Sequence, residues 1–183
     1  MSKWLSLVLV LLSTQAFAGK MDLGFGFYSL EAKTSSASGS SANLGLYRAN
    51  YAMDLTRNLD FNVGYTLIMS NIVGGDLGYG FDFGVSWYPL GPSAPIMGGV
   101  EGLFVKIEPT YRPFVELSFH QRQFQSVQSS YAGFGIALGA ERDFTDSYDL
   151  KASARFISLD GPSGSSASEL SLSFGVVFPF SLK

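Results

Sequence analysis

The run from Asn58 to Leu90 decides the fold. It reads Asn58-Leu59-Asp60-Phe61-Asn62-Val63-Gly64-Tyr65-Thr66-Leu67-Ile68-Met69, pauses over Ser70 to Asp76, and resumes from Leu77 to Trp87. Odd positions are large and apolar: Leu59, Phe61, Val63, Tyr65, Leu67 and Met69, then Leu77, Tyr79, Phe81, Phe83, Val85 and Trp87. Even positions are mostly small or polar, among them Asp60, Asn62, Gly64, Thr66, Gly78, Gly80, Asp82, Gly84 and Ser86. Side chains alternate across a β-strand, so each run has one greasy face and one small, polar face. Gly74-Gly75 joins the two runs as a hairpin.

The same period recurs along the chain. Strands are predicted at about 22–33, 42–55, 58–69, 77–87, 111–122, 131–144, 148–159 and 169–182. Leu44 and Leu46 fall on the polar parity of the second strand, with Arg48. Thr56-Arg57-Asn58 and Thr145-Asp146-Ser147 read as tight turns, and 34–41 and 160–168 as Ser/Gly-rich loops. Between Pro89 and Pro109 the alternation fails. Four of the seven prolines lie there, Pro89, Pro92, Pro95 and Pro109. A proline gives nothing to a ladder, so the piece Gly99 to Ile107 is expected to be a short interfacial helix or an irregular connection rather than a full strand. Short turns at one rim and longer loops at the other are the habit of outer-membrane barrels.

The expectation is therefore an all-β, eight-stranded, antiparallel up-and-down transmembrane barrel with a polar, side-chain-filled lumen. Residues 1–18 read as a cleaved signal peptide: Lys3, then the apolar run Trp4 to Leu12, then Ala16-Phe17-Ala18. Residues 19–183 form the barrel, with a Pro/Gly-rich periplasmic connection at about 89–109. At 183 residues this is one domain. Its net charge of −3 offers no broad basic surface for nucleic acid. There is no cysteine and one histidine, which excludes a disulfide, a thiolate site and a multi-histidine zinc site. No cofactor is expected. Gly24-x-Gly26 and Gly78-x-Gly80 sit inside strands with no helix after them, so they make no phosphate loop.

Alternation alone does not say which face is outside, because a lipocalin-like barrel also alternates around an inner ligand. Two features decide it. The apolar face carries no Lys, Arg, Asp or Glu in mid-strand, and the other face is too rich in Gly and Ser for a hydrated exterior. The apolar face is taken to meet lipid. Trp87, Tyr88, Tyr111, Phe144, Tyr148 and Phe180 then form an aromatic girdle near one rim, with Tyr47, Tyr79 and Tyr131 toward the other.

The signal peptide, eight alternating strands, absence of cysteine and aromatic-rich final strand (SLSFGVVFPFSLK) resemble the small outer-membrane β-barrel proteins, the group of the OmpA membrane domain, OmpX and OmpW. The resemblance covers nearly all of residues 19–183. It implies a non-enzymatic role in structure, envelope integrity or surface contact, in the outer membrane. It also implies lipid and lipopolysaccharide as surroundings and the barrel-assembly machinery as a partner. That machinery reads a final aromatic, and here Phe180 precedes Ser181-Leu182-Lys183. The OmpW likeness allows a narrow channel or carrier instead.

The inward charges are the candidates for function. Arg48, Asp82, Glu116 and Arg155 fall near mid-depth, and Asp60, Arg112, Glu141 and Lys151 nearer the turn rim. They are either a conducting lumen or an ion-pair network that fills the barrel, and a narrow bore favours the network. His120 is weighed against barrel enzymes that trim or acylate lipid A, such as PagL and PagP. Here the run is His120-Gln121-Arg122, not His-x-Ser. Ser118 and Glu116 share its face, but same-face neighbours of one strand point in parallel, whereas a nucleophile and its base must meet. No catalytic residue is assigned.

Overall fold

The computed structural model describes residues 18–33, 38–70, 76–90, 98–100, 103–105, 111–125, 129–145 and 147–181. Eight long strands close into one antiparallel barrel: β1 (Ala18–Lys33), β2 (Ser38–Thr56), β3 (Leu59–Ser70), β4 (Asp76–Trp87), β7 (Tyr111–Phe124), β8 (Ser129–Thr145), β9 (Tyr148–Asp160) and β10 (Ser166–Ser181). Each pairs with its neighbour in sequence, and β1 pairs with β10 to shut the ring. Of the expected signal peptide, 1–18, residues 1–17 lie outside the described residues and Ala18 begins β1.

Between β4 and β7 the expected helix or irregular connection is corrected. β5 (Gly98–Val100) and β6 (Leu103–Val105) form a separate two-stranded ribbon, Gly98 opposite Val105. Aromatic and β-branched residues favour extended backbone, and the prolines fall outside both short strands. The rest of 91–110 lies outside the described residues.

Register explains the two leucines of β2. Gly26 pairs with Leu46 and Phe27 with Leu44, so Gly45 is an extra residue, a β-bulge. The bulge flips parity. Leu46 points into the bore at 1% exposure, while Leu44 points out at 56%. The expectation that both share Arg48's face thus holds for Leu46 and fails for Leu44.

The outward wall is apolar over most of its height. Phe134 is 75% exposed and Leu117 64%, within a continuous belt that includes Phe25, Phe81, Phe83, Ile136, Leu138 and Phe174. Soluble monomers rarely expose so large an apolar patch, which marks a surface that meets lipid or a partner. On β8 the belt runs from Phe134 to Phe144, ten residue steps, with outward Arg142 near its end lying over the Tyr111 ring. At about 3.3 Å per residue and a tilt of about 40°, that is about 25 Å, the height of an outer-membrane barrel's apolar band.

At the loop end the pattern inverts. Outward residues become polar: Ser29 and Glu31, Gln121 and Gln123, Ser130, Ser158 and Asp160. Inward residues become apolar: Tyr28, Leu30, Leu46, Ile68, Phe124, Tyr131, Ile157, Leu159 and Ala167 make one buried cluster. The sequence reading gave each strand a single polarity for its whole length; β1, β7, β8 and β9 each carry two.

Candidate functional site

The bore holds three polar layers beneath that apolar cluster. Strand register, which no local pattern encodes, assembles them.

The layer nearest the cluster centres on Asp82. Its Oδ1 accepts from Arg122 Nη1 at 2.5 Å and from His120 Nδ1 at 2.6 Å, and Thr66 donates to Oδ2. Arg122 Nε also reaches Glu169 Oε2 at 3.4 Å. A carboxylate on Nδ1 fixes the proton there, leaving Nε2 as acceptor for the Ser118 hydroxyl at 2.7 Å. Asp82 stands opposite His120 in the β4–β7 ladder, and Ser118 is two residues along β7. The expectation that Ser118 and His120 cannot meet is corrected: side chains lean along a strand, and the imidazole spans the gap. Gly135 makes room for it, since a Cβ there would sit 2.7 Å from His120 Nε2. Ser118, His120 and Asp82 have the connectivity of a nucleophile, base and orienting acid. All three are buried, at 5%, 0% and 4% exposure.

The middle layer pairs Arg155 Nη2 with Glu116 Oε1 at 2.5 Å. Ser86 Oγ donates to Glu116 Oε2 at 3.4 Å, and Asn62 Nδ2 donates to Ser86 at 2.6 Å. Arg48 has no carboxylate within ion-pair distance among the described residues, but it lies in the field of Asp22, Asp82 and Glu116. Its Nε, with Nε and Nη1 of Arg155, has no hydrogen-bond partner among the described residues.

The layer at the turn end is the most branched. Lys151 Nζ lies 3.1 Å from Asp22 and 3.5 Å from Glu141, over the Phe114 ring. Arg112 Nη2 reaches Asp149 at 2.6 Å, Asp143 at 3.1 Å and Glu141 at 3.6 Å. Lys20 bridges Asp60 at 3.3 Å and Asp54 at 3.7 Å. Beside Arg112, a cavity of about 350 Å³ opens, lined also by Lys20, Asp54, Arg57, Asp60 and Tyr88.

Tyr88 is a correction. It was expected in the girdle, but its ring lies inside the bore at 6% exposure and its hydroxyl donates to Glu141 Oε1 at 2.6 Å. The backbones of Asn58 and Tyr88 are tied by Tyr88 N to Asn58 O at 2.9 Å, and Asn58 Nδ2 reaches Tyr88 O at 2.9 Å. This tie continues the alternation one residue past outward Trp87, which turns Tyr88 inward. Tyr131, expected toward the far girdle, is also inward and packs edge-on against Phe124. Trp87, Tyr111 and Phe144 face outward, and Tyr148 packs between Phe144 and Phe178. The side chain of Phe180 lies outside those described.

The sequence reading did not single out Asp22, Arg122 and Glu169 for the network. Each has inward parity, which was the available signal; the partner of each was not.

Among solved structures, the chain is similar to Neisserial surface protein A, at 17% identity and a TM-score of 0.56, covering 91% of this chain and 98% of that one. It also matches Ail, the attachment invasion locus protein of Yersinia pestis, at 11% identity and a TM-score of 0.46, over 87% and 99% of the two chains. The N-terminal β-barrel domain of Pseudomonas aeruginosa OprF aligns at 16% identity and a TM-score of 0.47, over 86% and 97%. No family model and no curated protein matches the sequence. The fold is that of the small eight-stranded outer-membrane barrels.

Proposed function

We propose that this chain is a non-enzymatic barrel of the bacterial outer membrane, exported through a leader that is removed before Gly19. Its turn end faces the periplasm, and it serves envelope structure or surface contact without conducting. One observation carries this reading. The bore is shut at the loop end by the apolar cluster around Ile68, Ile157 and Leu159, each fully buried, directly above paired charges. An ion moving along the axis would leave carboxylates and guanidiniums for a dry constriction. Planar-bilayer recording of the purified barrel tests it. The expected result is no steady conductance; stable openings in the unmodified protein would overturn it. N-terminal sequencing of membrane-extracted protein is expected to begin at Gly19.

The Ser118–His120–Asp82 contact favours a second reading, a hydrolase of lipid acyl esters. Its three members are enclosed by protein, and Arg122 occupies the same Asp82 oxygen as His120, so the first reading is preferred. An active-site phosphonate applied to the folded barrel, with Ser118→Ala as control, separates the two. Labelling at Ser118, or a lipid A profile altered by His120→Ala, would establish the enzyme.

A further inference from the structure

The outward polar wall at the loop end is not needed to fill the bore or to meet hydrocarbon. It begins where the belt stops, just beyond Phe119, Phe134 and Phe156. Phe119 and Phe134 pack edge to face at 5.5 Å and close the belt on that side. Above them the ladders set Gln123 opposite Ser130, and Ser158 opposite both Phe134 and Ser168. The polar groups form two stretches, one on β7 and β8 and one on β9 and β10, with outward Ala132 and Phe134 of β8 facing Asp160 and Ser158 between them. Its groups are amides and hydroxyls, each able to donate and accept. Cations are scarce: among the described residues of this collar the one basic side chain is Lys33, on β1, and Glu31 pairs with it at 3.0 Å.

In an outer leaflet, the layer immediately outside the hydrocarbon is occupied by the headgroup of the glycolipid, which offers phosphates and sugar hydroxyls. A charge-assisted phosphate clamp draws on Arg or Lys. A wall of Gln and Ser, with Asp160 beside it, matches sugar hydroxyls better than phosphates, which gain no charge-assisted bond from it. We propose that the face of β7 to β10 bearing Gln121, Gln123, Ser130, Ser158 and Ser168 binds the sugar headgroup of the outer-leaflet glycolipid through neutral hydrogen bonds. This rests on the outer-membrane orientation proposed above.

The test uses the purified full barrel in nanodiscs of phosphatidylethanolamine doped with either core-sugar lipopolysaccharide or lipid A, which keeps the phosphorylated disaccharide and lacks the core sugars. Glycolipid retained per barrel is counted by native mass spectrometry at about 0.1 M and about 0.5 M salt, a range over which phosphate ion pairs weaken markedly. The lipid bearing the core sugars is expected to be retained about tenfold better, with little change across the salt range. Gln121→Ala/Gln123→Ala is expected to erase the difference, and Ser158→Ala alone to halve it, while Lys33→Ala leaves it intact. Heat-modifiable gel migration confirms that each variant is a closed barrel. Equal retention of the two lipids, a steep loss with salt, or indifference to the Gln and Ser substitutions would overturn the proposal. Failure of the unmodified barrel to enter any nanodisc would instead overturn the membrane reading beneath it.

Discussion

Strand β9 carries two different proteins in one run. From Leu150 to Phe156 its outward residues are Leu150, Ala152, Ala154 and Phe156, and its inward ones Lys151, Ser153 and Arg155. One step later the outward residues are Ser158 and Asp160, and the inward ones Ile157 and Leu159. The pleat has not changed, only the solvent outside it. Where oil bathes the wall, apolar side chains go out, and the bore must satisfy its polar groups internally. Where polar surroundings bathe the wall, the same barrel packs an ordinary hydrophobic core. The lower section is held by charge pairing and hydrogen bonds, the upper by apolar burial.

Substitutions separate these two regimes, and urea unfolding of the barrel in lipid vesicles, followed by gel mobility, measures them. The largest effect is expected from Arg155→Met in the lower bore. It strips Glu116 of its cation and should cost about 3–5 kcal/mol, the penalty of a buried charge left unpaired. A smaller loss by Met than by Ile157→Val would break the distinction. Next is Leu138→Arg, on the oil-facing wall, expected to cost about 2–4 kcal/mol at mid-depth and to lower the folded yield. Ile157→Val, within the upper cluster, removes one methylene and should cost about 0.5–1.5 kcal/mol. Smallest is Gln123→Arg. If its level is polar, a cation there changes stability by no more than about 0.5 kcal/mol. A penalty comparable to that of Leu138→Arg would move the membrane boundary above Gln123.

Much of this was legible because period two is a local signal. Eight strands, the outward Phe83, Leu138 and Phe174, and the inward Asp82, Glu116 and Arg155 follow from parity alone. The boundary between the two regimes was also written in the sequence. In Phe27-Tyr28-Ser29-Leu30-Glu31 the apolar phase shifts by one residue at Tyr28, as it does at Ile157 in β9. Reading each strand as one unit hid that shift. Tyr88 and Tyr131 were misplaced for a related reason: their chemistry suggested a girdle while their parity pointed inward. The partners were not legible. Asp82 meets His120 and Arg122 across a ladder whose strands are joined by 88–110, and Lys151 meets Asp22 across the ring's closure. No spacing in the chain states either register.

That closure has a kinetic consequence. β1 and β10 lie at opposite ends of the described chain yet share sixteen paired residues, Ala18 opposite Ser181 through Lys33 opposite Ser166. Contacts so distant in sequence form late, because the intervening loop must first be gathered. Until they form, two long strand edges stand bare, each a template for a wrong neighbour. Asp22 on β1 reaches past β10 to Lys151 on β9, so this ion pair is a latch thrown across the last gap. Its removal is expected to slow the final zippering and lengthen the life of the open sheet.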